Sequence, residues 1–400
     1  MRVSAPTDRK GMRCLVYLDH AATSFPKPHR VIAEIGRCMR HDGGNPGRGT
    51  HALAMAAAER IYLCRREIGA FFGFSHPERV IFTMNTTMAI NTLIKGVLRW
   101  GDHVLISDME HNSVLRPLYK LAREGRITFD VFPTMVGEAR QNPAAVCAAI
   151  EARIRPNTRM LICAHASNIC SAVLPLREIG ALCHRHGILF AVDAAQSAGH
   201  LPIHVEDMGI DALCVPGHKG LLGPQGIGFL LLGEGIEADT LVEGGSGLHS
   251  LDGEMPDELP ERFEAGTLPT PAISGLLEGI REVKRRGLEQ ISARESGLIR
   301  RLQRELSGME GITLYAPHHQ GSILLFNLDG IPADRVGQEL NRLGFCARAG
   351  YHCSALGHRT LQTPAGGAVR VSVGASNTAA QIDAFAEALY RCRSLAERSR

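Results

Sequence analysis

The stretch Val215-Pro216-Gly217-His218-Lys219-Gly220-Leu221-Leu222-Gly223-Pro224 decides how this chain reads. It takes over from the apolar run Ala212–Val215, which is short, buried in character and closed by Pro and Gly, so a strand opens into a tight turn carrying a lysine. One helical step upstream, Gly187-Ile188-Leu189-Phe190-Ala191-Val192-Asp193-Ala194-Ala195-Gln196 repeats the plan with an acid at the strand end. Working outward, the runs Val80–Thr83, His103–Ser107, Met160–Ala164, Ile188–Val192, Ala212–Val215 and Ile227–Leu232 alternate with helical patterns. That alternation is the signature of βαβ units feeding a mainly parallel sheet. In such a sheet ligands sit beyond the carboxyl ends of the strands, so the polar residues after these runs converge on one crevice.

Beyond the Gly- and Pro-rich stretch Glu243–Pro271, the segment Ile273–Leu306 is charged and apolar at helical spacing and carries the chain out of the sheet. Strand-like runs at Gly321–Leu328 and Val369–Val373, with helical segments Ala333–Leu343 and Ala379–Tyr390, predict a smaller α+β layer. The expected division is a large domain over 17–284 and a small one over 285–400, with 1–16 packing on the latter.

With 400 residues, 44% hydrophobic and 21% charged, the chain has the composition of a globular protein with a well-buried core. A net charge of +3 gives no field that calls for nucleic acid. Met1 to Gly11 is polar and the run Cys14–Leu18 is too short for a signal peptide, and no span reaches membrane length, so a cytoplasmic location without a membrane is expected. The eleven cysteines contain no CxxC and, being odd in number, cannot all pair within the chain, as befits reduced thiols. Cys183-His184-Arg185-His186 matches no common zinc spacing, so no metal is expected.

A lysine at the crevice edge, as Lys219 is, can form a Schiff base with an aldehyde cofactor once desolvation lowers its basicity; taken alone it would be a solvated loop residue. Asp193 ends an apolar strand, where a carboxylate needs a cationic or donor partner. A protonated pyridine nitrogen is one such partner, and a role capping the next helix is the other reading. Asn85-Thr86-Thr87 precedes the helical pattern Met88–Leu98, and free amides with two hydroxyls there suit a phosphate, although the same residues are ordinary N-caps. His111 can stack on a planar ring, a plain loop histidine being the other reading. Asn168, in His165-Ala166-Ser167-Asn168, offers an amide to a ring substituent.

Lys219 following Asp193 by one βαβ step, with His111, Asn168 and Thr86/Thr87 ahead of them, resembles class V aminotransferases of fold type I. The likeness is to group II (Suf-type) cysteine desulfurases and selenocysteine lyases. It runs from Tyr17-Leu18-Asp19-His20-Ala21-Ala22-Thr23 to Arg370-Val371-Ser372-Val373-Gly374-Ala375-Ser376-Asn377-Thr378. The resemblance implies a seven-stranded, mainly parallel sheet and pyridoxal 5′-phosphate (PLP) as cofactor. Lys219 is then the Schiff-base lysine, Asp193 pairs with the pyridine nitrogen, Gln196 and Asn168 hydrogen-bond the ring oxygen, and His111 stacks on the ring. The phosphate is expected at Thr86, Thr87, His218 and Thr267, the last reaching in from the neighbouring subunit of a homodimer.

Where many Suf-type enzymes have Ser-Gly-His-Lys, this chain has Pro216-Gly217-His218-Lys219 and lacks a hydroxyl for the phosphate. The loop Gly244-Gly245-Ser246-Gly247 or the amides near Thr86 are the candidates to compensate. Arg348-Ala349-Gly350-Tyr351-His352-Cys353 resembles the segment bearing the persulfide-forming cysteine, here Cys353, with His352 and two arginines expected to favour its thiolate. A small buried cysteine is the commoner fate of a free thiol and describes most of the others. Arg370 falls where the family binds the substrate α-carboxylate through a planar fork of donors, with Arg348 assisting.

The implied reaction converts L-cysteine to L-alanine and leaves sulfur on Cys353 for an acceptor protein, as in iron–sulfur cluster assembly. Selenocysteine lyase or another class V reaction, with L-selenocysteine as the substrate of the former, is the alternative on this scaffold. A catalytically silent PLP-fold scaffold is a third reading, since fold does not fix function.

Overall fold

The computed structural model describes residues 15–47, 49–136, 142–318 and 321–397. Of the stretch 1–16 expected to pack on the second domain, residues 1–14 lie outside these. The chain starts with β1 (Val16–Tyr17), α1 (His29–His41) and α2 (Ala52–Phe72), then alternates β2 (Val80–Thr83), α3 (Thr86–Val97), β3 (Asp102–Ser107), α4 (Asn112–Arg123), β4 (Ile127–Phe132), α5 (Pro143–Glu151), β5 (Thr158–Ala164), α6 (Leu176–Arg185) and β6 (Leu189–Asp193). β7 (Ala212–Pro216) and β8 (Gly228–Leu232) follow, and α7 (Thr270–Arg286) leads to α8 (Leu288–Ser307). The remainder is β9 (Ile312–Tyr315), β10 (Ile323–Leu328), α9 (Ala333–Arg342), β11 (Phe345–Cys346), β12 (Arg348–Gly350), α10 (Ala355–Thr360), β13 (Ala368–Ser372) and α11 (Ala379–Glu397).

The large sheet has the order β2-β8-β7-β6-β5-β3-β4. Only β8 runs against its neighbours. The link from β7 to β8 is too short to house the crossover that a parallel partner needs, so the chain folds straight back. Along each central strand successive side chains feed opposite cores. Leu105, Leu161, Phe190, Val192, Leu213 and Val215 meet α2, α6 and α7, while Val104, Ile106, Met160, Ile162, Ala191 and Cys214 meet α3 and α4. Cover on both faces explains why these strands read as continuous apolar runs. β4 escaped the sequence reading because, of its six residues, only Ile127 and Phe132 are buried, so it shows no continuous apolar run, unlike β2 at the other edge.

The segment Ile273–Leu306, at helical spacing throughout, forms two helices. Gly287, at φ 80°, occupies the left-handed region between α7 and α8 and lets the chain turn without a Cβ clash. Helix α8 then lies on β9 and β10 of an antiparallel sheet ordered β12-β13-β10-β9. Leu298, Leu302, Phe326, Val371 and Phe385 form its core. Val16–Tyr17 pairs in parallel with Phe345–Cys346, so the start of the described chain is stitched to this second layer. Among the described residues no helix is long and apolar enough to cross a membrane.

Candidate active site

Strands β3, β5, β6 and β7 run in parallel, so their carboxyl ends share one edge of the sheet, and β2 ends there too. The crevice at that edge is lined by Thr86, Thr87, His111, Asn168, Asp193, Gln196, His218 and Lys219. Residues spread over more than a hundred positions meet because each sits just past a strand end, the placement that open α/β sheets impose.

Lys219 lies in the turn after β7, and burial lowers its amine to about 8, with Asp193 pulling the other way. Asp193 is 3% exposed. Desolvation raises its pKa, while the Ala195 N–H, 2.9 Å from Oδ1, and the Lys219 charge oppose the rise. Burial therefore acts on both members of the pair toward neutrality, and each charge partly sustains the other. His111 caps α4, its Nδ1 accepting from the Ser113 N–H at 3.0 Å. Burial first, and the Lys219 charge second, push His111 down to about 4, so the ring is neutral.

At the start of α3, Asn85 caps the helix through Oδ1 and the Met88 N–H at 3.0 Å. Thr86 Oγ1 is buried without a hydrogen-bond partner. An orphaned hydroxyl at a helix N-terminus, beside free backbone amides, suits an anion. Gln196 Nε2 donates to the Ala21 carbonyl at 3.0 Å, and one amide hydrogen of Asn168 goes to the His352 carbonyl at 2.7 Å. His218 Nδ1 meets Thr23 Oγ1 at 3.0 Å, while Lys27 Nζ donates to the His218 carbonyl at 2.6 Å. Pro216, where a serine was missed in the sequence, lines the same crevice. Ser246, a candidate to compensate, instead lines a groove beside Gly47 and Tyr62.

Arg370 is 1% exposed. It stands opposite Arg348 in the β12–β13 ladder, so both side chains leave the sheet on one face. Two like charges placed this way repel, and Asp19 offsets the repulsion: Arg370 Nη2 donates to its Oδ1 at 2.7 Å. Nη1 donates to the Asn168 carbonyl at 2.9 Å, and Nε stays buried without a partner. Burial lowers the Arg370 pKa and Asp19 supports it. Asp19 was not singled out in the sequence; only the bridge from its segment to Ser372 brings it here.

Cys353 is exposed, and it follows His352 in a turn where both residues are left-handed, at φ 51° and 56°. Such a conformation costs about 1–3 kcal/mol per residue. It is held from the other side of the crevice: the Asn112 N–H donates to the Cys353 carbonyl at 2.8 Å, and Asn168 holds that of His352. Burial, followed by the Arg370 charge, drives His352 down to about 3. The ring is therefore uncharged and adds no positive charge beside Cys353.

Thr267 is not brought to the crevice of its own chain. It lies in a neighbouring groove with Phe82, Met84 and Met88. That segment is anchored by Glu264, whose Oε2 sits 2.6 Å from Arg65 Nη2 and whose Oε1 accepts from the Phe82 N–H at 2.6 Å. Both side chains of this ion pair are buried, so the 264–267 stretch is fixed beside β2.

The class-V aminotransferase family model matches residues 16–385. A probable cysteine desulfurase of Methanothermobacter thermautotrophicus is 33% identical over 387 residues, covering 94% of each chain. A cysteine desulfurase of Klebsiella pneumoniae is 32% identical over 395 residues, covering 95% of this chain and 94% of its own. Among solved structures, the apo cysteine desulfurase of Thermococcus onnurineus superposes with a TM-score of 0.85 at 27% identity, covering 94% of each chain. A sheet of this order, with a lysine and an aspartate at adjacent strand ends and a family match over nearly the whole length, leads to one conclusion: the chain belongs to the class-V aminotransferase family.

Proposed function

We propose that the protein is a PLP-dependent cysteine desulfurase of the group II (Suf-type) kind, converting L-cysteine to L-alanine and leaving the sulfur on Cys353 as a persulfide. The carrying observation is one crevice that holds the desolvated Lys219–Asp193 pair while the loop bearing an exposed cysteine is tied to it through Asn168 and Asn112. Members of the family use PLP. The residues present fit it: the orphaned Thr86 hydroxyl and the α3 amides suit a phosphate, Asp193 suits a protonated ring nitrogen, and Lys219 is an amine of lowered basicity. When bound, the cofactor supplies an electron sink for the pair released at the substrate Cα.

The chain's own groups then divide the work. Lys219, with a pKa of about 8, takes and returns a proton at the substrate Cα. His111 would lie over the ring, and Asn168 and Gln196 would each offer its oxygen the amide hydrogen not given to the His352 or Ala21 carbonyl. Arg370 and Arg348 hold the α-carboxylate, whose negative charge relieves their mutual repulsion. The Cys353 sulfur attacks the substrate sulfur; the S–S bond forms as the C–S bond breaks, its electron pair stays with carbon, and protonation there completes alanine. Because Cys353 is exposed, the persulfide is open to a thiol acceptor protein, and we place the reaction in iron–sulfur cluster assembly in the cytoplasm. Thr267, outside its own crevice, is read as completing that of a second copy in a homodimer. We take 17–284 and 285–400 as the two domains.

Purified protein given PLP, L-cysteine and a thiol reductant should produce alanine and sulfide in equal amounts and sediment at twice the chain mass. No alanine above the blank would remove the reading, and a fully active monomer would remove the dimer. Arg370→Lys should keep PLP binding while weakening L-cysteine by about 30-fold or more, since truncating one side of a desolvated charge pair costs about 2–5 kcal/mol. Titration with L-alanine as well as L-cysteine checks this, and unchanged affinity for both takes Arg370 out of the substrate site.

A further inference from the structure

We propose that His358 is a positioning residue for Cys353: a chain of hydrogen bonds from Thr363 through His358 and His352 to the Arg348 carbonyl sets the left-handed turn that presents the thiol. The inference rests on Cys353 being the sulfur acceptor. His352 and His358 are each 3% exposed. Their Nδ1 and Nε2 atoms are 3.1 Å apart, and the rings are nearly parallel, at 13°, with centroids 5.4 Å apart. A nitrogen contact that short at that centroid separation means the rings meet edge to edge, as an N–H···N bond requires, and are not stacked face to face.

The direction of the chain follows from its ends. His352 Nε2 lies 3.1 Å from the Arg348 carbonyl, which can only accept, so this nitrogen carries the proton. A neutral His352 then has a bare Nδ1, which must accept from the N–H at His358 Nε2. That leaves His358 Nδ1 bare, to accept from the Thr363 hydroxyl at 2.8 Å. Both rings are neutral: burial brings His352 to about 3 and His358 to about 4, and the charges of Arg348 and Arg370 face His352. Every ring nitrogen is thereby used once, and the His352 ring is itself fixed by His358, six residues further on in α10. Asn112 and Asn168 hold the carbonyls of this turn, but they do not select the imidazole orientation. His358 does.

The test uses hydrogen exchange in the cofactor-free protein and persulfide formation in the loaded enzyme, comparing His358→Phe, His358→Gln and Thr363→Val. The Asn112 amide, which donates to the Cys353 carbonyl from a distant helix, is the reporter. His358→Phe fills the space without a donor and should speed Asn112 exchange by about tenfold, the consequence of a buried acceptor left bare. His358→Gln returns an N–H to His352 Nδ1 and should stay within about threefold of wild type. Thr363→Val should show a smaller change in the same direction. In the loaded enzyme, persulfide at Cys353 should form more slowly in the same rank order with L-alanine affinity unchanged. Unchanged Asn112 exchange in His358→Phe, or glutamine no better than phenylalanine, overturns the proposal; if the phenylalanine variant does not fold, unchanged exchange in Thr363→Val overturns it. Exchange that responds as expected in a protein whose Cys353 never carries sulfur would uphold the positioning and reject the acceptor assignment.

Discussion

Cys353→Ser protein should bind PLP and L-cysteine as the wild type does and release alanine about a thousandfold or more slowly, because the nucleophile that splits the reaction into two easier steps is gone. Serine is nearly isosteric, and the turn is held through the backbone carbonyls of His352 and Cys353, which the substitution leaves in place. Binding and transfer are thereby separated. A single turnover with labelled cysteine, following persulfide by mass spectrometry and alanine together, reads both. Wild-type protein should gain one sulfur on Cys353 in step with alanine. Full alanine production by the serine variant would show that sulfur leaves by another route. L-selenocysteine can still react in the variant, since its weaker carbon–selenium bond needs less help from a nucleophile, and that outcome would favour lyase chemistry.

Lys219→Ala should lose covalent attachment of PLP altogether and slow alanine formation by about 10⁴-fold, the upper range for a proton-transferring side chain. In wild-type protein, borohydride reduction and peptide mapping should place the pyridoxyl group on Lys219. The rate at which cofactor-free protein is labelled should also depend on pH. With its pKa at about 8, Lys219 is mostly protonated below that value and attacks an aldehyde only as the free amine. Labelling should therefore fall about tenfold per pH unit below 8 and level off above it. The folded pKa is lower than that of a free lysine, so the unfolded chain binds more protons in the interval between the two, and Lys219 makes stability rise with pH there. Labelling at another lysine, or a flat profile between pH 6 and about 9, would displace Lys219 from the centre of the site.

The central strands were legible because burial on both faces leaves continuous apolar runs, and the residues just beyond them, Asp193, Lys219, His111 and Asn168, are where the sequence placed them. β4 was not legible, since only its first and last residues are buried and no apolar run marks it. The break at Gly287 was missed because helical periodicity continues on both sides of it, and a lone glycine inside a helical pattern is usually tolerated.

The sequence by itself thus determined the alternation of strand and helix, the turn that carries Lys219 and the acid that ends the strand beside it. These are set by side-chain period and by turn residues within a dozen positions of one another, and local sterics act on that scale. Only the tertiary structure decided that Asp19 steadies Arg370, that Arg348 stands opposite it, and that His352 is neutral against His358. Those facts depend on strand register and on how the second layer docks against the first, and burial, which sets the charge state of every group in the site, exists only after that docking.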